Sequence, residues 1–442
     1  MTDYFLASSD SARQGATALR VLGQDVAWEY DPLWKRVSTL AGAWVKEGLQ
    51  AGDRVLFSPR RDRESVKILH ALMWRGAVPV LVSPRQFEVL DQETDASLEL
   101  RWRVGGEGSL AELSLGSSEE APPVEREAES EAIVLFSSGS TGSPKAIALT
   151  RCQLLASIEQ SASRLELSQS DGWLCVLPLY HVGGVSIVLR CARMGAEVVL
   201  MPDGFSAEQA WEACASGAVT QVSLVPVQLQ RMFPFIAGRR LPASFRFFLV
   251  GGAPMSKEQI HDAQRFDLPV IRTWGMTECA SQIATTPLGD VNGPLLALPG
   301  TRVERTESGR LAVHGPTAPG GYFLTQDIGE VDGGIRIQAR ADQVILSGGE
   351  KISLSRLQNA LAKHPDIVDC IVISRKDALW GERPHAVLVA RKAVAPTTDD
   401  LFSYLEDGGF RRREMFETLT WIESIPRNEM GKLQWSELES LL

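Results

Sequence analysis

The chain has 442 residues, 44% hydrophobic and 23% charged, with a formal net charge of −10. That length exceeds one ordinary core and predicts two or more domains, while the composition is that of a globular protein. An acidic balance with no basic block argues against a nucleic-acid partner, and no apolar run approaches the length of a membrane span.

The start, Met1-Thr-Asp-Tyr-Phe-Leu, lacks a basic end followed by an apolar core, so no signal peptide is predicted and the cytoplasm is the expected compartment. A first block, roughly 17–85, alternates strand-like and helix-like runs around 53–57 and 77–82. Residues 117–131 are acidic, contain proline and lack periodicity, which predicts a solvated surface loop. From about 131 to 275, strand-like runs at 132–136, 173–177, 197–201, 219–225, 245–250 and 270–274 alternate with amphipathic segments that include 151–165 and 257–265. Thr150 with Gln153, and Ser256 with Gln259, have the spacing of capping boxes that open helices. Such alternation predicts a largely parallel sheet covered by helices.

Short alternating segments with Gly-rich turns over 302–337 predict a small β subdomain. A boundary follows near 338–343, and the remaining hundred or so residues read as a compact α+β unit. The expected fold is therefore α/β. A large N-terminal domain over 1–339 has mostly parallel sheets covered by helices plus the β subdomain, and a small α+β C-terminal domain covers 340–442. Six scattered cysteines (Cys152, Cys175, Cys191, Cys214, Cys279, Cys370) without a Cys-x-x-Cys pair fit reduced thiols rather than a disulfide framework or zinc site.

The most informative stretch leaves the 132–136 run. Ser137, Ser138, Gly139, Ser140, Thr141, Gly142 and Ser143 are closed by Pro144 and Lys145. Small hydroxyl residues and glycine let backbone N–H groups and hydroxyls turn onto phosphate oxygens, and the lysine adds a point charge. The spacing is not that of a Walker loop. Thr273-Trp274-Gly-Met-Thr277-Glu278 follows a strand and offers a hydroxyl for a phosphate and a carboxylate for Mg²⁺, a hard ion that prefers oxygen. Asp327, in Leu-Thr-Gln-Asp-Ile-Gly, has a carboxylate able to accept two hydrogen bonds in parallel. Arg190 lies on a mostly apolar segment, where a guanidinium is costly to bury unless it meets an anion. An internal carboxylate, a side chain snorkelling to the surface, or a carboxylate on the substrate would each answer that cost.

In this order the motifs resemble those of the acyl-adenylate-forming superfamily, which includes acyl-CoA synthetases, firefly luciferase and peptide-synthetase adenylation domains. The resemblance implies ATP, with its triphosphate on 137–145, its adenine near Gly251, Gly252, Ala253 and Trp274 (tyrosine is usual there), and its ribose on Asp327 and Arg340. It implies Mg²⁺ on Glu278, with Thr277 at the α-phosphate, and an α+β C-terminal domain that is mobile about Asp342. Gly348 and Gly349 of Ser347-Gly-Gly-Glu-Lys would line the channel for CoA. Lys432, in Pro426-Arg-Asn-Glu-Met-Gly-Lys, would bridge the attacking carboxylate and the α-phosphate, where a flexible cation stabilises developing charge. His181, in Pro-Leu-Tyr-His, would form the acyl-pocket wall.

Nearly the whole chain is most similar to the o-succinylbenzoate–CoA ligase family of menaquinone biosynthesis. By that resemblance Arg190 helps recognise a second carboxylate on a small-molecule acid, and the partners are that acid, ATP and CoA, with a homodimer left open. A ligase for another aryl or acyl acid, an adenylation enzyme loading a carrier-protein thiol, and a nucleotide-binding regulator remain as alternatives.

Overall fold

The computed structural model describes residues 15–89, 98–104, 119–137, 145–202, 204–236, 238–348, 350–391, 395–428, 431 and 433–442. Contacts divide the chain into two compact units. One holds residues up to 323 apart from Val303–Ala312, and the other holds Val303–Ala312 and Leu324–Leu442.

The first unit is built on two sheets. The strands of its N-terminal part are β1 (Thr17–Val21), β2 (Ala27–Glu29), β3 (Arg54–Phe57), β4 (Val78–Leu81), β5 (Leu100–Val104), β6 (Glu131–Ser137) and β7 (Lys145–Thr150). Next come β8 (Gly172–Cys175), β9 (Glu197–Leu200), β10 (Gln221–Leu224), β11 (Phe247–Val250), β12 (Val270–Met276), β13 (Ser281–Thr285) and β14 (Leu296–Ala297). Among the described residues the larger sheet has the order β14-β13-β12-β11-β10-β8-β9-β1-β2, and the smaller one β5-β3-β4-β6-β7. The central strands β12, β11, β10, β8, β9 and β1 run parallel, as the alternation with helices requires. The predicted helices over 151–165 and 257–265 form with those limits, and both capping boxes are made.

Two features were not legible in the sequence. Strands β1 and β2, from the first block, join the sheet of the later one, with β1 pairing β9. Strand β7, which the apolar pattern did not announce, pairs antiparallel with β6. The acidic segment is irregular, as expected, but not simply solvated. Trp74 Nε1 donates to Ala121 O at 2.7 Å, and the backbone N–H groups of Ala121 and Val124 donate to Ser38 O and Trp74 O.

Helices α1 (Tyr30–Lys46), α2 (Arg63–Trp74), the short α3 (Pro84–Val89), α4 (Arg151–Leu165) and α5 (Val182–Met194) precede α6 (Ala207–Ala215), α7 (Pro226–Ile236) and α8 (Lys257–Arg265). Of these, α2 packs on β4 and β1, and α4 packs on β6, β7 and β13, so each touches both sheets. One apolar core results, joining Leu19, Trp44, Leu69, Ile133, Ile158, Trp173, Val188 and Phe247. Each such side chain contributes roughly 1.5–3 kcal/mol by leaving water.

In the second part of the chain, β15 (Arg302–Arg305), β16 (Arg310–His314), β17 (Tyr322–Val331) and β18 (Ile335–Arg340) make the predicted small sheet. Strands β19 (Val344–Ser347), β20 (Glu350–Ser353), β21 (Ile367–Asp377), β22 (Gly381–Ala390) and β23 (Thr418–Trp421) make another. Helices α9 (Leu354–Leu361) and α10 (Thr398–Asp407) close its core around Leu357, Leu361, Leu401 and Leu405.

The first unit carries one acid-sensitive group at its centre. Burial pushes the His70 imidazole down to about 3, against about 6.5 for a solvated histidine, and its ring lies edge-on to Trp34 at 5.0 Å. The folded chain therefore holds this histidine neutral while the unfolded chain takes up a proton, so its presence costs stability as the pH falls below about 6.5, down to about 3. At pH 5 that linkage amounts to about 2 kcal/mol. Urea unfolding at pH 7 and pH 5 should show a drop that is smaller in His70→Leu than in wild type by about this amount, the remainder including His385, which burial also lowers, to about 4.

Candidate adenylation site

Parallel α/β sheets form ligand crevices beyond the carboxyl ends of their strands. Here that edge carries His181 after β8, Val225 after β10, Gly251–Ala253 after β11, and Thr277–Glu278 after β12. The sheet order places these four strands side by side.

Glu278 sits in a single 3₁₀ turn, Thr277–Cys279, followed by two residues with left-handed backbone, Ala280 at φ 55° and Ser281 at φ 108°. Strands β6 and β7 both pack against this turn. Ser137 and Lys145 are cross-strand partners, and the lysine is exposed. Ser138, Gly139, Ser140, Thr141 and Gly142 lie outside the described residues, as do Gly349 and Lys432.

The Glu278 carboxylate is half-buried and takes no hydrogen bond or ion pair among the described residues, and neither does the Thr277 hydroxyl. No group of three acidic, histidine or cysteine side chains able to hold a metal occurs among the described residues. A free carboxylate without such a cage suits Mg²⁺, which keeps several waters and is completed by phosphate oxygens. The two thiols flanking the crevice are no nucleophiles. Burial pushes Cys175 and Cys279 up to about 12, with the Glu278 charge adding to the effect on Cys279.

Gly251 and Gly252 are required where they stand. A Cβ on Gly251 would lie 2.6 Å from Thr273 Cγ2, and Gly252 has φ 81° with Val225 Cγ1 at 3.3 Å from its would-be Cβ. Gly252 and Ala253 are exposed, leaving their backbone open to a planar ligand. Trp274 is only 9% exposed, so little of its ring is open to a ligand.

His181 is the N-cap residue of α5, with Tyr180 at 4.7 Å, ring to ring. Arg190 lies nine residues further along the same helix, about 13 Å of rise. It is 1% exposed, so it does not snorkel. Its guanidinium sits 5.0 Å over the Trp173 ring, and no carboxylate or other hydrogen-bond partner reaches it among the described residues. Burial lowers its pKa to about 10, which keeps it charged at neutral pH. Trp173 in turn donates from Nε1 to Ser223 Oγ at 3.1 Å.

In the second unit, Asp327 (7% exposed) and Arg340 are cross-strand neighbours on β17 and β18. Arg340 contacts Asp327 Oδ1 at 3.6 Å and makes two hydrogen bonds to Asp342, at 2.9 and 2.6 Å. The surface ion pair within Arg340-Ala-Asp342 therefore exists, and it extends to the aspartate expected at the ribose. Gly348 has φ 56°, and a Cβ there would lie 2.3 Å from the Trp380 ring. The exposed Leu346, Leu379 and Trp380 are its near neighbours in sequence or space. A groove of about 840 Å³ lined by Gln338, Arg356, Lys363, Tyr404 and Phe410 contains none of the expected site residues.

Comparison with known proteins identifies the family and the fold. Residues 86–323 match the model of the AMP-binding enzyme family, and residues 356–432 match the AMP-binding enzyme C-terminal domain. The chain is 30% identical to a 2-succinylbenzoate–CoA ligase of Bacillus cereus over 93% of its own length and 92% of that protein. It is 29% identical to the Geobacillus kaustophilus enzyme of the same name over 94% and 92%. Among solved structures, o-succinylbenzoate CoA synthetase from Bacillus subtilis in complex with its acyl-adenylate intermediate aligns with a TM-score of 0.82 at 23% identity, over 96% of this chain and 95% of that one. ATP-bound MatB from Rhodopseudomonas palustris aligns at 0.81 and 22%, over 96% and 95%. The chain belongs to the AMP-binding enzyme family.

The turn bearing Glu278 depends on one glycine. A Cβ on Gly275 would lie 1.8 Å from the Ser281 carbonyl oxygen. Gly275→Ala is therefore expected to destabilise the first unit by on the order of 3 kcal/mol or more, read as a lower melting temperature.

Proposed function

We propose that this chain is an AMP-forming acid–CoA ligase that converts o-succinylbenzoate, ATP and CoA to o-succinylbenzoyl-CoA, AMP and pyrophosphate in the cytoplasm. It has no helix long and apolar enough to cross a membrane among the described residues. The family match supports the chemistry, and its relatives named as 2-succinylbenzoate–CoA ligases support the acid.

The observation that carries the acid is Arg190. A buried cation without an internal anion is costly unless a ligand supplies one. Helical side chains lean toward the N-terminus of their helix, which brings the guanidinium back toward the His181 end. An elongated substrate with two carboxylates fits this separation, one for reaction near His181 and one for Arg190.

In the proposed first step the triphosphate lies on the loop closed by Lys145, the base against Gly251–Ala253 and Trp274, and the ribose on Asp327 beside Arg340. Glu278 would hold Mg²⁺, whose compact positive charge would offset that of the triphosphate. The substrate carboxylate attacks the α-phosphorus, with Thr277 and Lys432 stabilising the charge that gathers on the phosphoryl oxygens, and pyrophosphate leaves. In the second step residues 340–442 turn at Asp342, withdrawing Lys432 and presenting Gly348 and Gly349 to CoA. The thiolate attacks the acyl carbonyl and AMP leaves. Positioning and charge compensation supply the rate, since no thiol at the crevice is ionised to form a covalent intermediate.

Alternation of two arrangements separates the half-reactions. Lys432→Ala should abolish acyl-AMP formation and spare thioester formation from supplied acyl-AMP, whereas Asp342→Pro should impair the second step more than the first. Equal loss of both steps in both variants would rule out alternation. For the acid, pyrophosphate release across o-succinylbenzoate, simple benzoates and fatty acids should favour o-succinylbenzoate by at least tenfold, and Arg190→Met should erase that preference. Turnover with other acids alone would leave the adenylation chemistry and remove the proposed substrate.

A further inference from the structure

Helix α4 carries more buried polar side chains than a core helix needs: Gln153, Ser157, Gln160 and Ser161 are all buried. Three of them, spaced i, i+4 and i+8, lie on one face. Gln153 Nε2 donates to Glu278 O at 3.3 Å, Ser157 Oγ donates to Ala280 O at 2.5 Å, and Ser161 Oγ donates to Gln282 Oε1. Their partners are residues 278, 280 and 282. Every fourth residue of the helix meets every second residue of the segment, so helix and segment stay in step for three rungs.

The ladder is braced at both ends. Gln153 accepts from Thr150 N at 3.0 Å as part of the capping box, and also donates to Thr317 O at 3.0 Å. Gln282 Nε2 donates to Thr273 Oγ1 at 3.1 Å, on the strand that leads into Thr277. Between the ends sit Ala280 and Ser281, two non-glycine residues held at positive φ. Such conformations persist where surrounding contacts over-determine them. The helix itself starts at Arg151, directly after β7, whose first residue is Lys145. The ladder is thus the covalent and hydrogen-bonded route between the end of the phosphate loop and the turn bearing Glu278.

We propose that Gln153, Ser157 and Ser161 are positioning residues that fix the Glu278 turn against α4, and so set how strongly a divalent ion couples to ATP binding. The inference rests on the assignment of Glu278 to Mg²⁺. None of the three touches the nucleotide. They act through the Glu278 and Ala280 carbonyls and the Gln282 side chain, and removing one hydroxyl leaves a buried acceptor without its donor.

The test is calorimetric titration of the full chain with ATP, in EDTA and in Mg²⁺, without any acid substrate. Wild type should bind ATP at least tenfold more tightly with Mg²⁺, and Glu278→Gln should lose that enhancement. Ser157→Ala should lose most of the enhancement while its metal-free ATP affinity stays within twofold of wild type, and Ser157→Thr, which keeps the hydroxyl, should retain it. Should Ser157→Ala fail to fold, Ser161→Ala, one rung further from Glu278, should show a smaller loss of the same kind. An undiminished Mg²⁺ enhancement in the folded alanine variant would overturn the ladder's role while leaving the ligase reading in place. A parallel loss of metal-free affinity would reduce the ladder to general scaffolding and overturn it too. Wild type that gains nothing from Mg²⁺, or Glu278→Gln that keeps the gain, would overturn the Glu278 assignment and this inference together.

Discussion

A helix packed against two sheets at once keeps only a narrow solvated edge, here at Glu159 and Ser163, and its other polar atoms must be met inside; this constraint organises the first unit. Helix α4 lies against β6, β7 and β13, and its glutamine and serines must find partners within the protein. Gln153 and Ser157 find them in the backbone of the segment after β12 and Ser161 in the Gln282 side chain, and that segment can therefore hold left-handed residues and a tight 3₁₀ turn. Apolar side chains in those positions would give a core of similar volume and no hold on the Glu278 turn. The site is thus built from the interior outwards, with the carboxylate free because the backbone beneath it is not.

Charge is managed differently in the two units. In the second, Arg340 is shared by Asp327 and Asp342, so the residue expected at the ribose and the residue expected to pivot are joined by one guanidinium. Any ligand that engages Asp327 competes for that cation and alters what holds the turn at Asp342. In the first unit, Arg190 has an aromatic face and no carboxylate among the described residues. Cation–π attraction to Trp173 offsets part of the burial cost, about 2 kcal/mol at most for a desolvated pair, against several for the ion itself. An arginine that carries such a deficit in the free protein gains most from a ligand that brings the missing anion.

Glycine marks the places where backbone must approach backbone. Gly275 admits the Ser281 carbonyl, and Gly251 lies against Thr273. Both sit at the carboxyl ends of adjacent strands, where a side chain would fill the crevice or push β13 away from β12. Two buried thiols nearby stay protonated, so the chemistry available at this edge is binding, orientation and charge stabilisation.

Much of this was legible in the residue order. The 151–165 and 257–265 helices announce themselves by capping boxes, the parallel strands by short apolar runs, and the Ser/Gly loop, Thr277-Glu278 and Asp327 by side chains suited to phosphate, metal and ribose. These are local signals, carried by neighbours within a few positions of one another. Other features needed the folded chain. The antiparallel pairing of β6 and β7, the passage of β1 into the second sheet, and the ladder from Gln153, Ser157 and Ser161 to 278–282 join residues more than a hundred positions apart or reverse a strand direction that apolarity alone does not encode. Sequence by itself determined which side chains are present to do the chemistry. Tertiary structure alone decided that Arg190 would be buried without a carboxylate among the described residues and that Glu278 would stand on a braced turn, because burial and hydrogen-bond pairing are properties of what packs against a residue rather than of what precedes it.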